Sequence, residues 1–175
     1  MTEWASITGF NTLPAGDALQ VLLGCCSATR WARQVAAGRP YASVEAVLRR
    51  SDEAVAGLSA SDLAEALSAH PRIGERASEH ASEHAGERGW SRREQAGVAG
   101  AHEAILRELA ASNAAYEQRF GHVYLVCATG RSAAELLDLL RTRLGNDPAA
   151  ESQIVRSELG KINRIRLRSL IEGDL

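Results

Sequence analysis

The sequence predicts an all-α protein, a single-domain helical bundle of about seven to nine helices spanning residues 1–175. Three observations carry that prediction. Alanine and leucine are abundant, β-branched residues are sparse and only 5% of residues are aromatic, a mix that favours helix. Helix start signals recur along the chain, each followed by apolar residues at helical spacing. One run alone, "HVYLVCA" at 122–128, has a β-like composition.

Taken in order, Pro14 can occupy a first helical turn, and "AGDALQVLLGCC" follows with its leucines and valine on one side. "WARQVAAGRP" is a short amphipathic piece ended by Gly38 and Pro40. Ser43 can cap "VEAVLRR", and Ser61 can cap "DLAEALSAH", whose Leu63 and Leu67 share a face. That helix should run out at Pro71, because the residue before a proline is pushed out of the α region. His70 is thereby placed at a helix end. Residues 72–90 are polar, and the tandem repeat "ASEHASEHAGE" reads as a solvated loop or a poorly packed helix, an inserted polar loop around 76–90, too short for a solenoid. Ser91 opens a long helix through about Tyr116, with Ser91 and Glu94 as a capping box. The 122–128 run reads as a short strand, an extended connector or a buried helix start, and Gly130 ends it. Ser132 and Glu135 make a second capping box for "AAELLDLLRTRLG". Asp147 caps the last helix, with Pro148 at its first position.

On that last helix Val155, Leu159, Ile162 and Arg166 fall on one stripe. An arginine continuing an apolar stripe must snorkel outward, pair with an acid or face a polar pocket.

The net charge of -2 does not support sequence-independent nucleic-acid binding. No apolar run reaches membrane-spanning length, and "MTEWASITGF" does not read as a secretory signal. Cys25, Cys26 and Cys127 make a poor disulfide framework and have no zinc spacing, so reduced, mostly buried thiols in a cytoplasmic protein are expected.

Three of the five histidines lie between Ala69 and Gln95. His80 and His84 are four residues apart, as in a zinc pair, but the stretch is "HASEH" rather than H-E-x-x-H, and the repeat accounts for the spacing without a metal. No metal site is expected. His102 belongs on a solvated helix face, and His122 could line a cavity or simply hydrogen-bond. His70 is locked by Pro71 before a glycine-bearing turn. Histidine titrates near 6.5, which suits acid–base work at neutral pH; a helix C-terminal cap is the competing role.

The motifs occur as an ordered set: "HPRIGE" from His70, "SRREQ" from Ser91, "NAAYEQRFGHVYLVCATGRS" from Asn113, "RLGNDPAAE" from Arg143 and "ELGKINRIRL" from Glu158. In that combination, over nearly the whole chain, the sequence resembles the OHCU decarboxylases, which act on 2-oxo-4-hydroxy-4-carboxy-5-ureidoimidazoline. The resemblance implies an all-α fold, usually a homodimer. It implies release of CO2 and formation of (S)-allantoin without a cofactor, as the last step of urate degradation after urate oxidase and 5-hydroxyisourate hydrolase. It carries the catalytic roles onto His70, Glu94 and Arg166, and substrate contacts onto Pro71, Ser91, Gln95 and the segment Tyr124, Leu125, Val126, Cys127 and Ala128, mainly through backbone. Two departures stand out: the 76–90 loop is longer than the family minimum, and Tyr124 replaces a common phenylalanine.

The chemistry fits such a residue set. The substrate carries an imine beside the carbon that loses its carboxylate, so it supplies its own electron sink. The protein must hold a carboxylate, a hydroxyl and a ureido group and manage protons. Arg166 suits an anionic or carbonyl group through its planar fork. Glu94 and Gln95 suit the ureido and ring nitrogens. Cys127 is a poor nucleophile, since no base is apparent for it. Three rival readings are a metal-dependent hydrolase using His80 and His84, a non-enzymatic helical interaction module, and a member that acts on a related ureido or imidazoline substrate.

Overall fold

The structure, a computed structural model, describes residues 6–74, 90, 94–98 and 103–173. Ser91 with its capping box, the polar loop up to residue 89, and His80, His84 and His102 lie outside the described residues. Among those described, the protein is all helical, with eight α-helices, one 3₁₀ turn and no strand, as the composition predicts. The chain divides into two compact units: one takes the residues up to Ala66 and those from Gly160 onward, the other Leu67–Leu159.

The first unit holds α1 (Ile7–Thr12), α2 (Ala15–Leu23), α3 (Thr29–Ala37), α4 (Val44–Ala56), the start of α5 (Ala60–Ser68) and the last part of α8 (Pro148–Glu172). Pro14 is the N-cap of α2, immediately before its first turn; its carbonyl accepts from Ala18 N at 3.0 Å. Gly38 closes α3 and Ser43 Oγ caps α4, accepting from Ala46 N at 3.2 Å. The expected cap at Ser61 is corrected to Ser59. Its hydroxyl accepts from Asp62 N at 3.1 Å while Asp62 Oδ2 accepts from Ser59 N at 2.8 Å. An aspartate thus does the work of the glutamate in a capping box, and α5 begins before Ser61. The core gathers Phe10, Leu22, Trp31, Val35 and Leu48, and Trp31 places its indole N–H on Ser51 Oγ at 3.1 Å. Arg164 ties α8 to α4 through Asp52 at 2.6 Å and Glu45 at 2.7 Å.

The second unit holds the end of α5, α6 (Glu103–Phe120), α7 (Ala133–Arg143) and the first part of α8. The expected single helix from Ser91 to about Tyr116 is interrupted: Gln95 sits in a turn, Ala96–Val98 form the 3₁₀ turn, and α6 continues past Tyr116 to Phe120. Gly97 and Gly100 lie in this stretch of sequence, and glycine weakens a helix by about 1 kcal/mol relative to alanine. The capping box of Ser132 and Glu135 and the Asp147 cap with Pro148 first in α8 form as the sequence predicts. Leu109, Tyr116, Tyr124, Leu136 and Leu140 lead the core. The 123–128 segment is a connector that is neither helix nor strand, buried for most of its length.

Candidate active site

His70 follows the end of α5. Its N–H bonds to Leu67 O at 3.1 Å, and Pro71 then stops any further turn of helix. His70 is only 8% exposed and its Nε2 is shielded from solvent. The turn that carries it is held from three sides. Asn113 on α6 donates Nδ2–H to Ile73 O at 2.9 Å. Gln95 Oε1 accepts from Gly74 N at 3.1 Å. Arg72 forks onto Glu117, Nε to Oε1 at 2.6 Å and Nη2 to Oε2 at 2.9 Å. Ile73 is buried in the core and Gly74 turns with φ +83°, a left-handed value that other residues adopt only with strain. A histidine meant to exchange protons has to keep one orientation, and these bonds supply that constraint.

Glu94 is half-buried in the helical turn just before Gln95. Gln95 Oε1 accepts from the His70 turn, and its NH₂ is a donor that this bond does not use.

The Tyr124–Ala128 segment is clamped by charged side chains. Arg143 Nη1 donates to Leu125 O at 2.7 Å, Cys127 N donates to Glu158 Oε2 at 2.8 Å, and Arg131 Nε donates to Cys127 O at 3.2 Å. These bonds fix the course of the segment. Arg143 also binds Glu151 Oε1 through Nε at 2.8 Å and Nη2 at 2.5 Å, while Asn146 Nδ2 donates to Glu151 Oε2 at 2.8 Å and Tyr116 donates its hydroxyl to Glu151. Burial pushes the Glu151 carboxyl up, but the bonds from Arg143, Tyr116 and Asn146 outweigh it and hold the group below the ordinary carboxylate range. The Arg143 guanidinium lies 4.7 Å from the Tyr124 ring centroid. Burial pushes the Tyr124 hydroxyl up to about 12, with Arg143 opposing, so Tyr124 is a neutral wall of the segment at physiological pH. Cys127 is partly exposed, and Cys25 and Cys26 are buried; all three are free thiols. His122 Nδ1 lies 3.0 Å from Val123 O, and its ring meets Tyr116 edge-on.

In the first unit, Arg166 is fully buried and Nη1 donates to Cys25 O at 2.7 Å. It does not snorkel. One turn earlier on the same face, Asn163 is also fully buried, and neither its Nδ2 nor its Oδ1 has a hydrogen-bond partner. A buried polar group left unbonded costs about 1–3 kcal/mol.

Among the described residues no three His, Cys, Asp or Glu side chains are grouped to hold a metal. Of the site residues the sequence predicts, His70, Pro71, Gln95 and the 124–128 segment belong to the second unit, as does Glu94; Arg166 belongs to the first; Ser91 lies outside the described residues. Sequence reasoning missed Asn113, Glu117, Arg143, Glu151, Glu158 and Asn163. Asn113, Arg143 and Asn163 were detectable by the criterion that singled out Arg166, a polar residue on an apolar stripe. Asn113 stands between Leu109 and Tyr116, Arg143 follows Leu136 and Leu140, and Asn163 follows Leu159, each at helical spacing.

The OHCU decarboxylase family profile matches residues 11–168. The chain is 34% identical to the uric acid degradation bifunctional protein TTL of Arabidopsis thaliana over 83% of its own length, but spans only 45% of that protein. It is 30% identical to the 2-oxo-4-hydroxy-4-carboxy-5-ureidoimidazoline decarboxylase of Amia calva, covering 81% of this chain and 79% of that one. The crystal structure of an OHCU decarboxylase in the presence of (S)-allantoin superposes with a TM-score of 0.72 at 28% identity, covering 85% of this chain and 95% of the other.

Proposed function

The chain belongs to the OHCU decarboxylase family, and from that premise we propose that it converts 2-oxo-4-hydroxy-4-carboxy-5-ureidoimidazoline to (S)-allantoin and CO2. The observation that carries this is His70, a shielded imidazole on a turn held by Asn113, Gln95 and the Arg72–Glu117 pair. Loss of CO2 breaks a C–C bond, and the electron pair moves into the substrate's own imine. The imine nitrogen takes up a proton, leaving an enol; the ureido-bearing carbon that becomes the stereocentre then takes up a proton as the hydroxyl loses its own and becomes the carbonyl. His70 exchanges that proton, or the one on the neighbouring hydroxyl. Glu94, the NH₂ of Gln95 and Ser91 bind the ureido and ring nitrogens; Pro71 and the Tyr124–Ala128 segment line the substrate; Arg166 anchors an anionic or carbonyl group. Urate oxidase and 5-hydroxyisourate hydrolase supply the substrate. The reading extends to a cytoplasmic homodimer: the three free thiols suit a reducing compartment, no helix among the described residues is long and apolar enough to cross a membrane, and the dimer rests on the family.

Circular dichroism on freshly generated substrate tests the reading. Wild type yields (S)-allantoin faster than the spontaneous racemic route, and His70→Ala, still folded, loses roughly 10²–10⁴ of kcat. A wild type that leaves the rate and the racemic product unchanged overturns the assignment and favours a related ureido or imidazoline substrate.

A further inference from the structure

Among the described residues, Asn163 is a buried polar side chain whose presence the fold does not explain. It sits among Ile162, Leu167 and Leu170, all buried, on the inward face of α8, and both atoms of its amide lack a partner. An apolar residue of the same size would remove that penalty, so an amide here does nothing for folding. Asn113 offers a partial contrast: it is almost as deeply buried and its Oδ1 also lacks a partner, but its NH₂ is bonded to Ile73 O, so that amide has one tie to the fold where Asn163 has none.

Position supplies the rest. Asn163 and Arg166 are three residues apart on one helix, which brings their side chains to neighbouring places on the same face, about 5–6 Å apart at Cβ. Arg166 offers only donors and suits a carboxylate or carbonyl. A carboxamide offers donor and acceptor side by side on one planar end. A carboxylate would satisfy only the Nδ2 side, whereas a ureido group, with N–H and C=O adjacent, satisfies both atoms in one pairing.

We infer that Asn163 is a substrate-binding, specificity-determining residue that reads the ureido arm of the substrate beside the Arg166 anchor. This rests on the decarboxylase reading above.

The test is Asn163→Leu in the full chain, with Asn163→Ala, which introduces no clash, should leucine fail to fold. Three quantities are read in parallel with wild type: the melting temperature, KM and kcat, and inhibition by allantoin against inhibition by hydantoin, which is the same ring without its ureido arm. The expected result is a melting temperature unchanged or raised, KM up by about 10- to 100-fold for two lost hydrogen bonds, and wild type's preference for allantoin over hydantoin abolished. If KM and that preference stay at wild-type values, Asn163 does not touch the substrate and the proposal falls while the decarboxylase reading stands. If the melting temperature and kcat fall together with the preference kept, the amide is structural and the proposal falls. If wild type itself gives no acceleration, both fall together.

Discussion

Asn113 and Asn163 carry the same amide into almost equally dry settings, and the protein treats them differently. Asn113 gives its NH₂ to Ile73 O and so closes the turn that presents His70. Asn163 gives nothing to any neighbour. The contrast extends beyond the two residues. In the second unit the groups that shape the His70 turn and the Tyr124–Ala128 segment are bonded to side chains reached from far along the chain. The lesson is that polar groups serving the fold are engaged by it, and a buried polar group the fold leaves unbonded is one to examine for a ligand.

The strongest test of the engaged side is Glu151→Ala. It strips Arg143 and Tyr116 of their shared buried acceptor and leaves a dry guanidinium without its carboxylate. Removing one member of a buried ion pair costs about 3–5 kcal/mol, to be read as a lowered denaturation midpoint in urea. Activity should fall in parallel, because the same guanidinium holds Leu125 O. A variant within about 1 kcal/mol of wild type would mean that the network is ornamental.

Asn113→Leu sets the two asparagines directly against each other. It leaves Ile73 O buried without its donor, so a loss of about 1–3 kcal/mol is expected, where Asn163→Leu loses none. The kinetic signatures should differ as well. Loosening the His70 turn lowers kcat and spares KM, whereas Asn163→Leu raises KM. If both variants prove equally benign, the distinction between employed and idle amides disappears.

Much of this was legible in the sequence. Ser43, Ser132 with Glu135, and Asp147 with Pro148 start helices where their short side chains say they should, because capping is local chemistry. The histidine at a helix end before Pro71 was legible for the same reason. Reading failed where two local signals competed, as with Ser59 and Ser61 three and one residues before Asp62. It also failed where a distant partner decided the outcome: Gln95 lies in a turn and bonds Gly74, 21 residues away. Burial of Arg166 could be suspected from its stripe, but its bond to Cys25 O crosses 141 residues. No periodicity encodes such a choice, since it is made only when the helices pack.

The smallest expected effect concerns the third support of the His70 turn, the Arg72–Glu117 fork. The arginine is half exposed, so the pair is worth about 0–1 kcal/mol after solvent screening. The hydrogen bond from Arg72, with its charge, holds the Glu117 carboxyl below the ordinary range. A carboxyl depressed in the folded state stabilises fully above its unfolded pKa, near 4.3, and that contribution is lost as pH falls through the folded value. Glu117→Gln keeps an acceptor and removes the charge. Its stability deficit relative to wild type should therefore be present at pH 7 and close on acidification below about pH 4; Glu151, common to both proteins, cancels in the difference. A deficit that persists unchanged in acid would assign Glu117 a packing role and leave Asn113 and Gln95 as the two supports that matter for the turn.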